Sequence, residues 1–139
     1  MSKLVITVTT LVNAPVDRVW QCWTSPEHVV RWNHASDDWH TPSATNDLRP
    51  GGRFVYRMEA RGGSFGFDFS GTFQEVIPVS RLVFTLDDDR RVEIQFQSEG
   101  TKTKVIESFE AESLNSPELQ EQGWGMILEN FRKYAESQL

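Results

Sequence analysis

The stretch WNHASDDWHTP, residues 32–42, holds His34, Asp37, Asp38 and His40 between two indoles, Trp32 and Trp39. Imidazoles and carboxylates are what a divalent cation takes as ligands. The spacing HxxDDxH matches no ligand pattern, however, and adjacent aspartates in a polar stretch serve to cap turns or face water. Neither a metal nor a cofactor is expected. The tryptophans suit a pocket lip, since an indole offers an apolar face and a polar N–H. They would equally close a small core beneath neighbouring helices.

The second candidate is a single carboxylate. In TKVIESFEAE, Thr103, Val105, Glu107 and Phe109 fall on one side of an alternating pattern. If that side faces inward, Glu107 is a carboxyl among apolar groups, with its pKa raised by desolvation. It would then serve as an acid or base, or hold a ligand's polar end. The alternatives are an ion pair with a cross-strand arginine such as Arg57, or a register that turns it outward. Other reactive types read as structural. Asp68 alternates against the phenylalanines around it, Cys22 sits in an amphipathic helix beside Trp23, and there is no GxSxG elbow. Gly51 and Gly52, following Pro50, supply turn geometry in a loop that also holds Asp47 and Arg49.

These residues need elements to position them. KLVITVTTLV alternates and is rich in β-branched residues, with Leu4, Ile6 and Val8 on one face, and reads as a strand. Val16, Val19, Trp20 and Trp23 then recur at helical spacing after Pro15. Ser25-Pro26 opens a second short helix that runs to Trp32. Residues 32–42 lack any periodicity and read as a loop.

From Asn46 onward the chain reads as strands. Phe54, Tyr56 and Met58 alternate, and RGGS marks a hairpin turn. Phe65, Phe67, Phe69 and Phe73 share a face, with Gly71 a bulge or bend. Leu82, Phe84 and Leu86 follow, then Val92, Ile94 and Phe96, then the Glu107 strand. The final helix is capped by Ser116, opens at Pro117 and carries the stripe Trp124, Ile127, Leu128, Phe131 and Ala135. Gly123 and Gly125 flank Trp124, where close packing or a local opening would explain them.

Strands segregated from helices predict an α+β fold. We expect one domain over residues 1–139, with an antiparallel sheet of six to seven strands curved around the long C-terminal helix. Two short helices follow the first strand. Phe54, Met58, Phe67, Phe69, Phe84, Phe96, Trp124 and Leu128 form the inward set, lining a cavity or filling a solid core. With 14 Lys and Arg against 20 Asp and Glu the chain carries a formal charge of -6 and shows no basic stripe, so nucleic acid is not an expected partner. One cysteine cannot form an internal disulfide, and no apolar run is long enough to span a membrane or serve as a signal peptide. A cytoplasmic protein without membrane association is the expectation.

In order along the chain, NAPVDRVWQCWTSPEHVVRW, DLRPGG, GTFQEVIPVSRLVFT, EGTKTKV and GWGMILENF resemble the START-like helix-grip (SRPBCC) superfamily. Within it, the chain is most similar to the family of the activator of heat-shock protein 90 ATPase, in its stand-alone bacterial form. The resemblance implies an internal cavity between sheet and C-terminal helix. Relatives bind lipids, hormones or polyketides, a few act as cyclases or hydroxylases, and the namesake, which also carries a separate N-terminal domain essential to its chaperone binding, activates a chaperone. Three functions follow. The first is binding of a small apolar molecule, with Trp32, Trp39 and the phenylalanines supplying contact and His34, His40 or Glu107 fixing its polar end. The second is a protein-interaction module that regulates a chaperone. The third is a cyclase or hydrolase using a cavity acid or base.

Overall fold

In the computed structural model of the chain, residues 4–138 are described; Lys3 and Leu139, which belong to the terminal segments read above, lie outside them. The element order is β1 (Val5–Val12), α1 (Val16–Thr24), α2 (Pro26–Trp32), β2 (Trp39–Asn46), β3 (Arg53–Ala60), β4 (Gly66–Ile77), β5 (Arg81–Leu86), β6 (Arg91–Glu99), β7 (Lys102–Glu110) and α3 (Pro117–Ser137). All seven strands form one antiparallel sheet in the order β1-β7-β6-β5-β4-β3-β2. The sheet curls into a half-barrel around α3, which is the expected α+β architecture.

Alternation decides what each strand buries. Ile6, Val8 and Val12 of β1, Val92, Ile94 and Phe96 of β6, and Val105 and Phe109 of β7 all point into the core. Leu128, Phe131 and Ala135 of α3, three and four residues apart, meet them from the other side. Ser116 caps α3 by accepting a 3.1 Å bond from the Leu119 N–H. Beneath α1 and α2 a knot of rings closes the core. Trp23 and Trp32 each meet Phe131, at 4.7 and 4.9 Å between centroids.

Three readings change. Residues 32–42 are not all loop: Trp39 opens β2, an edge strand paired with β3. Its sequence WHTPSATN lacks an alternating apolar set because Thr41 alone of its side chains is buried, and Pro42 falls inside the bulge between His40 and Ser43, where a missing N–H is tolerated. Leu4, grouped with Ile6 and Val8, is instead exposed and lies just before β1 begins at Val5. Gly71 is not the bulge of β4, which lies between Phe73 and Glu75. Its role is close approach: a Cβ there would stand 2.4 Å from the Thr85 carbonyl oxygen and 3.1 Å from the Phe54 ring.

Candidate functional site

The curl of the sheet leaves more room than the side chains fill. A cavity of about 220 Å³ lies between the inner face of β3 to β7, the C-terminal half of α1 and α2, and α3. Its apolar wall includes Phe54 and Met58 from β3, Phe67, Phe69 and Phe73 from β4, Phe84 from β5, and Trp124 and Ile127 from α3. Trp124 is fixed by lying flat on Phe109, at 3.9 Å and 9°, with its edge toward Phe69.

Polar groups enter this wall at a few points, and Glu107 is the outlier among them. It is 7% exposed and stands between Val8 and Ile94 in the ladders of β7. Among the described residues no hydrogen bond or ion pair holds its carboxyl. Arg57, the cross-strand arginine weighed above, lies on the outer face with Glu59 at 2.9 Å and Asp68 at 3.3 Å. Burial with no compensating partner pushes the Glu107 carboxyl up to about 8.

The other polar members are already engaged. Arg90 reaches the wall from the β5–β6 turn, with its Nε 2.8 Å from Asp88 Oδ2. Tyr56 shares the cavity with Asn46, whose Nδ2 donates to the Thr24 carbonyl at 2.7 Å and to the Tyr56 oxygen at 3.3 Å. Burial raises the Tyr56 hydroxyl above its usual range.

Residues 32–42 divide three ways. Trp32 forms part of the wall and donates from Nε1 to the Cys22 carbonyl at 2.9 Å. His34 lies off the cavity, where Asn130 of α3 donates to its Nε2 at 3.1 Å. That bond leaves the proton on Nδ1, which is buried with no partner. Burial first, and Arg61 second, hold the His34 imidazole below its ordinary range. Trp39 sits outside, edge-on to Phe65 at 6.0 Å and Phe67 at 6.1 Å. His40 faces Glu59 at 3.9 Å, away from the cavity. No three His, Cys, Asp or Glu side chains converge to hold a metal among the described residues.

The structure thus brings Trp32, Phe54, Met58, Phe67, Phe69, Phe84, Glu107 and Trp124 into one wall. Phe96 and Leu128 are core residues behind it, the former packed under Trp20 and Trp23. Tyr56 was missed as a wall residue although it alternates with Phe54 and Met58. Arg90 was missed because a charged residue in a DDDR turn reads as solvated, yet it continues the parity of Val92 and Ile94. Asn46 left no signal because β2 itself left none, and Asn33, just past α2, sits in a polar stretch that reads as loop.

This frame recurs in known proteins. A solution structure described as an AHSA1-like protein from Aeromonas hydrophila is 44% identical, with a TM-score of 0.91 over 97% of this chain and 94% of that one. A protein from Cytophaga hutchinsonii is 41% identical, with a TM-score of 0.83 over 96% and 92%. One from Nitrosomonas europaea, at 24% identity and a TM-score of 0.82 over 99% and 97%, shares the fold. No curated protein matches the chain. No helix among the described residues is long and apolar enough to cross a membrane. Residues 13–136 match the family described as Activator of Hsp90 ATPase homolog 1-like protein, and with the two closer likenesses above 40% identity the chain belongs to that family.

Proposed function

We propose that the protein binds a small, largely apolar molecule in the cavity between its sheet and α3. One observation carries this reading: an aromatic-walled space of about 220 Å³ in which the Glu107 carboxyl has no partner among the described residues. A cavity of roughly 150 Å³ suffices for a benzene ring, so this one has room for a monocyclic ligand with a short polar substituent. Trp32, Phe54, Phe69 and Trp124 supply contact area, and Glu107 meets the polar end. His34 and His40 take no part in holding the ligand; His34 ties the α2–β2 connection to Asn130, and His40 faces Glu59 outside the cavity. Phe67, half in the wall and 40% exposed, stands at the entrance with Trp39.

Native mass spectrometry of gently purified protein tests the reading, compared with the same sample denatured. An added mass of a small organic molecule that is lost on denaturation supports it. A bare mass, unchanged after incubation with host extract, counts against it.

A second reading has its own observation. Phe65, 61% exposed, and Phe67 form with Trp39 an apolar patch on the surface, of the kind that docks a protein partner. With the family's name, this favours regulation of a chaperone ATPase. The measurement is the ATPase rate of an Hsp90-class chaperone with and without this protein. A Phe65→Ser, Phe67→Ser double variant should lose any stimulation, and an unchanged rate with the parent protein removes the reading.

A further inference from the structure

Resting on the reading that the cavity takes a small apolar guest, we infer that the guest is a lipophilic amine, bound as its ammonium ion against the Glu107 carboxylate within the ring of aromatic side chains.

Glu107 sets the sign of the charge. It is 7% exposed, opens into the cavity, and among the described residues has neither a hydrogen-bond donor nor a cation. A structural carboxyl at such a depth is ordinarily paired, because an unpaired one costs free energy whether ionised or neutral. The remaining partner is the occupant of the cavity. An ammonium supplies both a counter-charge and N–H donors, while an alcohol supplies only the latter.

The walls favour the same charge. Phe54, Phe69, Phe84 and Trp124 put ring electrons around the space, and a desolvated cation is attracted to ring faces. Such walls offer nothing comparable to an anion. The groups around Glu107 do not reverse this. Val8 and Ile94 flank it in the ladders, and α3 presents Trp124 and Ile127. Among the described residues Arg90 is the one cation on the wall, and its charge is offset by Asp88 at 2.8 Å. Tyr56 is neutral and bound to Asn46. The formal charge of -6 lowers the barrier to a cation arriving from solution.

The protons balance simply. Below about pH 8 the empty protein holds Glu107 as the neutral acid. An arriving R–NH₃⁺ displaces that proton to the buffer and leaves a carboxylate–ammonium pair. Amine binding therefore releases about one proton, and binding of a neutral guest releases none.

The test uses the full chain and three guests of nearly equal size: 2-phenylethylamine, 2-phenylethanol and phenylacetate. Isothermal titration calorimetry at pH 6.5, in two buffers of different ionisation enthalpy, reads affinity and proton release together. We expect the amine to bind at least about tenfold more tightly than the alcohol, the scale of one charge-assisted hydrogen bond over a neutral one, with about one proton released. In Glu107→Gln the preference and the proton release should vanish while the alcohol still binds. That variant removes a buried acid and keeps its shape, and retained alcohol binding reports that it is folded.

If the alcohol or phenylacetate binds the parent protein as tightly as the amine, the inference is overturned and cavity binding stands. The inference also falls if the amine preference survives in Glu107→Gln, which would assign it to the acidic surface. If none of the three binds and native mass spectrometry gives a bare chain, cavity binding falls with it.

Discussion

Glu107 and Ile94 are direct partners in the β6–β7 ladder, and both face the same cavity. A carboxyl and a buried aliphatic chain thus share one apolar surface, which makes the acid's protonation part of folding. The unfolded chain holds this proton with an ordinary carboxyl pKa of 4.5, and the folded one holds it up to about 8. Between those values the native state binds more protons than the unfolded state, so stability falls as pH rises, and it levels off above about 8. Glu107→Gln has no such loss. Relative to the parent, the variant should gain nothing from ionisation near pH 4.5 and on the order of 3 kcal/mol at pH 7. Urea denaturation at several pH values checks this, and a difference that does not grow with pH would count against an inward, unpaired Glu107.

Asn130 joins α3 to the connection after α2. Its side-chain nitrogen donates toward the Trp32 carbonyl at 3.0 Å, His34 Nε2 at 3.1 Å and the His34 carbonyl at 3.3 Å. Replacing it with Ala strands these acceptors in a part-buried site. A loss of about 1–3 kcal/mol is expected, with faster amide exchange confined to residues 32–36. An unchanged denaturation midpoint would show that the bonds contribute nothing net.

Two glycines should respond oppositely to the same substitution. At Gly71 a Cβ meets the Thr85 carbonyl oxygen at 2.4 Å, and backbone cannot give way as a side chain can. Gly71→Ala is expected to cost at least about 3 kcal/mol or to prevent folding. At Gly123, in the first half of α3, a Cβ meets nothing within 4 Å. Gly123→Ala should raise stability by about 1 kcal/mol through helix propensity alone. Thermal melts of the two variants decide it; a destabilised Gly123→Ala would mean that the helix needs its freedom there.

Cys22 is fully buried on α1, and desolvation raises its thiol above the usual range. Reaction with Ellman's reagent at pH 8 should therefore be slow in native protein and complete in denaturant. Rapid labelling of the native protein would contradict the packing of α1 against the core.

The helices and most strands were legible because their signals are local. Pro15, Ser25-Pro26 and Ser116-Pro117 mark helix starts by their own backbone preferences, and the stripes on α1 and α3 follow from 3.6-residue periodicity. Parity alone placed Glu107 with Val105 and Phe109, and it placed Phe67 and Phe69 on one face of β4. The family, too, was readable from motif order. What a single strand cannot reveal is where the sheet ends. Phe65 obeys the same parity as Phe69 but lies in the β3–β4 turn, before β4 begins at Gly66, and it meets water. Edge strand β2 carried no apolar alternation because Thr41 alone of its side chains is buried, and with it Asn46 stayed hidden. Whether Glu107 found an arginine was a question of register across four strands: Arg57 has the opposite parity on β3 and went to Glu59 and Asp68. Local sequence determined the elements and the face each side chain takes. Curvature and strand order decided which faces enclose a space, and so left the Glu107 carboxyl inside it with no partner among the described residues.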